Sequence, residues 1–129
     1  VSDPHAQALL GLLLSDPDLT VYDGPAPDGA TPPYVVLYVT SEDASDRLHG
    51  DATTKPVWGY THAVGANATA ARRVADLVRA RLLDVHPTVP GWVNGPIRHY
   101  SSRPPTDVEV AGAKYLDQVD VWRFVSDPA

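Results

Sequence analysis

The sequence predicts an α+β fold: a mixed, mostly antiparallel sheet packed against two helices, with long hairpin arms and Pro-rich loops. Three observations predict it. Two segments carry apolar residues at helical spacing, others are runs of β-branched and aromatic residues, and the 13 Pro and 9 Gly gather between them. At 129 residues, the chain is expected to form a single domain over 1–129.

Ser2 and Asp3 are capping types, and Pro4 suits a first helical position, so a helix is expected to begin there. Ala6, Leu9, Leu10, Leu13 and Leu14 then form one apolar stripe, which Pro17 closes. Residues 20–22 suit a short strand. Residues 24–33 hold four Pro and two Gly and predict a loop. Residues 34–39 read as a strand covered on both faces or paired in the sheet centre, and 41–55 as a long acidic loop or an extended hairpin arm. Residues 57–66 read as a strand with Trp58, Tyr60 and His62 on one face and small residues on the other.

Asn67 or Thr69 caps a second helix, whose stripe runs through Ala70, Val74, Leu77, Val78, Leu82 and Val85 until Pro87 and Pro90 stop it. Residues 91–96 predict a loop. Val93 with 97–102 predicts one strand, Pro104 and Pro105 a turn, and 115–125 the longest strand. That strand puts Leu116, Gln118, Asp120, Trp122 and Phe124 on one face and Tyr115, Asp117, Val119, Val121, Arg123 and Val125 on the other. Neither face is cleanly apolar. The strand therefore reads either as half core and half contact surface or as an ordinary edge strand.

Composition excludes several functions. Without Cys or Met there are no disulfides, thiolate metal sites, iron–sulfur clusters or Cys nucleophile. A net charge of −6 argues against a free-duplex DNA binder. The preference for Arg over Lys accompanies few Ile, Asn and Phe, a codon signature of a GC-rich genome rather than of phosphate recognition. No apolar run approaches the ~18–20 residues of a membrane span. The residues ahead of the apolar run at 8–14 are not basic, so no secretory signal is expected and the chain is expected to act inside a cell or in something assembled there.

The search for chemistry is equally negative. His5, His49, His62, His86 and His99 make no metal-binding spacing. Asp46, His49 and Asp51 read as a solvated loop before they read as a metal site, and Ser45, Asp46 and His49 lie too close in sequence for a triad. There is no phosphate-binding Gly-rich loop and no Gly-x-Ser-x-Gly. Asn67-Ala68-Thr69 matches a glycosylation sequon but reads as a helix cap. His62 reads as a hydrogen-bonded sheet histidine. Trp58, Tyr60, Trp122 and Phe124 could stack nucleic-acid bases, but without interleaved basic residues they fit core and subunit-contact roles better. No catalytic, cofactor or metal residue is assigned.

The order of elements resembles the tail terminator or tail completion proteins of long-tailed bacteriophages. The likeness rests on Pro33-Tyr34-Val35 opening the first main strand, Asp46 and Gly50-Asp51 in the loop after it, and Val57-Trp58 leading the next. The helix with Ala70, Val74, Leu77, Leu82 and Leu83 and the closing strand 115–125 complete it. The loop 24–33 and the turn at Pro104 are richer in proline than that family's pattern. The resemblance implies a non-enzymatic virion protein, commonly a hexameric ring, at the head-proximal end of the tail tube. It would end tube polymerisation, dock the head–tail connector or neck proteins, and assemble in the host cytoplasm without cofactors. It implies partner contacts at Asp43, Asp46, Arg47, His49 and Asp51 and at the four aromatic residues.

DNA would pass through such a ring without specific binding. The net charge suggests an acidic lumen, which a lining of Arg72, Arg73, Arg79 and Arg81 would contradict. Other neck or minor tail positions share this size and sheet content. A small soluble ligand-binding or enzymatic α+β domain, with a pocket at His62, Asp117 and Arg123, is the alternative of a different class.

Overall fold

The computed structural model describes residues 3–41, 54–110 and 112–129. Helix α1 (Pro4–Leu14) starts where expected, with Asp3 accepting the His5 backbone N–H at 2.9 Å and Pro4 in the first turn. The chain continues through β1 (Val21–Asp23), β2 (Tyr34–Ser41), β3 (Lys55–Gly65) and helix α2 (Ala68–Leu82). It ends with β4 (Trp92–Asn94), β5 (Arg98–Ser102), β6 (Thr106–Val110) and β7 (Ala113–Pro128). The fold is α+β, with two helices on a mixed, mostly antiparallel sheet.

β1 runs parallel to β2; the other pairings are antiparallel. The order is β1-β2-β3-β7, and the 16-residue β7 then carries three short strands along its far side. β4 pairs with its C-terminal end, β5 with its middle and β6 with its start. β7 is thus the central strand, which corrects the edge-strand reading. A mixed polar and apolar pattern on both of its faces follows from this position, because different neighbours cover different stretches of one long strand.

Four further boundaries differ from expectation. α2 stops at Leu82, before the prolines, because Leu83 turns extended (ψ 127°) and Asp84 takes a left-handed conformation (φ 63°). The freed backbone bonds across to Ile97 through Asp84 N and Val85 O instead of continuing the helix. β4 lies inside the expected loop 91–96, so the strand expected from Val93 with 97–102 is two strands. β6 lies directly after the expected proline turn: Pro104 and Pro105 end β5, and the alternating Thr106-Asp107-Val108-Glu109-Val110 pairs with the start of β7 as a hairpin arm. β7 itself extends beyond the expected 115–125.

Both helices lie on the same face of the sheet. α2 buries Ala71, Val74, Ala75, Val78 and Leu82, and α1 buries His5, Leu9 and Leu13. Beneath them lie Val35, Leu37, Val57, Ala63, Ile97, Trp122 and Phe124. Each large aliphatic side chain so buried contributes about 1.5–3 kcal/mol. Asn67 caps α2, accepting from Ala70 N at 2.8 Å. Gly65 ends β3 directly against that first helical turn: a Cβ there would lie 2.4 Å from Ala71 N and 2.7 Å from Ala70 C, so only glycine allows this approach.

The core is tied by buried polar contacts. Trp122 Nε1 donates to Thr61 Oγ1 at 3.0 Å, joining β7 to β3. His5 Nε2 pairs with Ser126 Oγ at 2.9 Å, joining α1 to β7, with the His5 ring edge-on to Trp92 at 4.9 Å. Burial, helped by the Lys55 charge, holds the His5 pKa below the ordinary histidine value.

Candidate interaction surface

Strand alternation determines what the second face of the sheet presents. On β2, β3 and β7, the residues that do not face the helices are Tyr34, Val36, Tyr38 and Thr40; Trp58, Tyr60, His62 and Val64; and Tyr115 through Val125 at every second position. Register aligns them in rows: Thr40, Trp58 and Arg123; Tyr38, Tyr60 and Val121; Val36, His62 and Val119.

The Pro-rich loop after β1 roofs one part of this face. Ala26 and Ala30 pack with Tyr22 and Tyr115 onto a small second core of Tyr34, Val36 and Val64. Tyr34 is buried there, and burial together with nearby Tyr115 and Asp117 holds its phenol above the ordinary tyrosine range. Among the described residues, the rest of the face has no helix over it. Tyr100 is 64% exposed and stands edge-on to Trp58 at 4.8 Å. The Arg123 guanidinium lies 5.4 Å from the centre of the same indole. Tyr38 is exposed and meets the His62 ring edge-on at 5.7 Å. His62 Nδ1 pairs with Asp117 Oδ2 at 2.9 Å, so it is the hydrogen-bonded sheet histidine that its sequence context suggests.

Two open depressions flank the aromatic rows. One of ≈ 450 Å³ lies beside Arg98, Tyr100, Arg123 and Val125. One of ≈ 270 Å³ lies between the Pro-rich loop and Tyr38, His62, Val108 and Asp117. His62 and Asp117 share the second with no Arg123, so the three residues of the expected enzyme-type pocket are not gathered in either. A second His–Asp pair, His99 with Asp120 at 3.0 Å, lies on the helix side of the sheet against Trp122. Among the described residues, no group of three or more His, Asp or Glu is placed to hold a metal ion. Nor is any described helix long and apolar enough to cross a membrane.

The sites expected from sequence divide three ways. Trp58 and Tyr60 lie half-buried on the open face. Trp122 and Phe124, 1% and 3% exposed, lie on the opposite face under the helices, and this corrects their reading as contact residues. β7 is covered by α1 and α2 at these positions, which leaves their rings no surface to offer a partner. Asp43, Asp46, Arg47, His49 and Asp51 lie outside the described residues. Tyr38 and Tyr100 were not expected, and Arg123, expected only in the enzyme-type pocket, lies against Trp58 instead. The alternation of β2 marks Tyr38 once its register with Tyr60 is known, whereas a bulge between His99 and Ser101 places Tyr100 and leaves no sequence signal.

The open face thus carries half-buried Trp58, Tyr60 and Arg123 beside exposed Tyr38 and Tyr100, side-chain types that bring large contact area at small entropic cost. No protein-family profile matches the sequence, and neither does any curated protein. The fold, by contrast, is similar to that of a chain in a solved structure described as the virion of a native gene transfer agent particle. The similarity covers 95% of this chain and 93% of that one, with a TM-score of 0.70 at 18% identity. The likeness is one of fold, along nearly the whole of both chains.

Proposed function

We propose that the chain is a structural subunit of a phage-type virion. It assembles as a ring of the tail-terminator type at the head-proximal end of the tail tube, where it ends tube polymerisation and offers a docking surface to the connector. The observation that carries this reading is the fold shared along nearly the full length with a chain of a gene transfer agent virion.

The open face of the sheet supports it. A ring needs two different surfaces per subunit that meet around an axis, plus a further surface for the next layer of the particle. The rows through Trp58, Tyr60, Tyr38 and Arg123 provide an aromatic platform. The β6–β7 arm, exposed along Thr106, Asp107 and Glu109, provides a projection that reaches a neighbour. Its tip, Glu109–Val110 with Ala113–Lys114, is paired only as a two-stranded ribbon, which is marginally stable alone, and docking on an adjacent subunit would add to it.

Imaging particles assembled with and without this chain tests the proposal. The expected result is a ring of density at the head-proximal tail end that accommodates this fold, and tails of uncontrolled length when the chain is withheld. Tails of normal length and normal head attachment without the chain would overturn it.

A further inference from the structure

Charge is segregated along this chain. Residues 1–46 contain eight carboxylates and no Lys or Arg, a net −8, while residues 47–129 carry a net +2. The basic charge concentrates in α2, which holds four of the eight arginines against one aspartate. Among the described residues, folding cancels little of this. Arg81 turns back to α1, pairing with Asp16 at 3.5 Å, and Arg98 pairs with Asp84. Arg72, Arg73 and Arg79 stand exposed on α2, with Asp76 between them and Arg79 on the flank that borders His99 and Asp120, and none has a carboxylate within ion-pair distance among the described residues. On the acidic side, Asp23 of the edge strand β1 and Asp28 of the loop after it are exposed and likewise without a basic partner among those residues.

From this complementarity we infer that the exposed side of α2 is a docking surface for a second copy of this chain, whose β1 edge and Pro-rich loop supply Asp23 and Asp28 to Arg72, Arg73 and Arg79. The inference rests on the ring reading, since a head-to-tail contact uses two different surfaces of each copy. Like charges facing each other are strongly disfavoured, so this pattern forbids α2 from meeting α2 and fixes which flank follows which. β1 lies at the end of the sheet, where an adjoining copy reaches it without displacing a neighbouring strand. The contact also directs the arginines to the next subunit.

Sedimentation equilibrium of the full chain, from micromolar to millimolar concentration at low and high salt, tests the contact. The variants are R72E/R73E/R79E, D23R/D28R and the combined five-site exchange. All five positions are exposed, and circular dichroism checks that each variant is folded. Self-association of the wild type, weakened by salt, roughly tenfold or more weaker in each partial variant and recovered in the five-site exchange, is the expected result.

A wild type that stays monomeric throughout overturns the inference, as do folded partial variants that associate like wild type and an exchange that recovers nothing. Duplex DNA binding that is lost in R72E/R73E/R79E with association unchanged assigns the face to nucleic acid and also overturns it. None of these outcomes alters the tail-length experiment, so failure of this contact and failure of the proposed function are read separately.

Discussion

Replacing Trp122 by Ala separates core from contact surface most sharply, because the residue has a claim to both. The ring is 1% exposed, lies in the main core under the helices, and donates Nε1 to Thr61 Oγ1 at 3.0 Å. Truncating a fully buried Trp costs about 3–5 kcal/mol, which combines lost transfer free energy with the cavity left behind. Thr61, itself buried, loses its donor in the same step, so the upper half of that range is expected. Against the ~5–15 kcal/mol that holds a whole domain together, this is a large fraction.

The control is Trp58→Ala. Trp58 is half-buried on the open face, where its ring meets Tyr100 and Arg123, so its loss should cost below about 1.5 kcal/mol. Equilibrium unfolding in urea, followed by the fluorescence of the remaining Trp residues, measures both variants. A shift in midpoint without a change in slope identifies a stability effect. On the proposed assembly reading, Trp58→Ala stays folded and loses particle incorporation, whereas Trp122→Ala loses most of its stability. A Trp122→Ala chain within about 1 kcal/mol of wild type, or one less damaged than Trp58→Ala, would refute the assignment of faces.

Three other outcomes are expected. Gly65→Ala forces a Cβ into the backbone of the first turn of α2 and should destabilise by about 1–3 kcal/mol or more, whereas Gly59→Ala, whose nearest neighbour is the movable Leu9 Cδ1 at 3.3 Å, should cost less; thermal unfolding of the pair checks the order. Asn67→Ala removes the α2 cap and should cost about 1 kcal/mol, with Asn67→Asp or Asn67→Ser recovering most of it in the same melt. Because the pKa of His5 is lowered in the folded chain, the unfolded chain binds the extra proton. The stability His5 gives is complete above about pH 6.5 and is lost as pH falls through the lower folded value, so urea midpoints between pH 7.5 and 5 should fall less steeply in His5→Gln than in wild type.

Local signals in the chain name most elements. Asp3-Pro4 and Asn67 mark the helix starts, the leucine stripe marks α1, and the Val/Tyr runs mark β2 and β3. What they miss shares one cause. β4 and β6 are short, lie among Pro and Gly, and exist because β7 is long enough to supply partners along its whole far side. The end of α2 is likewise decided by a distant group, since Asp84 and Val85 leave the helix to bond Ile97. The proline turn at 104–105 is a sound local reading, whereas the loop expected over 91–96 gives way to β4 because β7 supplies it a partner.

The candidate surface was half legible for the same reason. Alternation puts Trp58 and Tyr60 on one face of β3, and Trp122 and Phe124 on one face of β7, and both statements hold. Period-two alternation says which residues share a face but not which face the helices cover. The sequence by itself therefore determined the α+β class, the two caps, the apolar stripes and a charge pattern with no Lys or Arg before Arg47. Tertiary structure alone decided that the Trp122 face is core and the Trp58 face open. α2 has a single apolar side and α1 is apolar around most of its surface, and both come to rest on the face that presents small residues at Gly59, Ala63 and Gly65, where a helix backbone can approach.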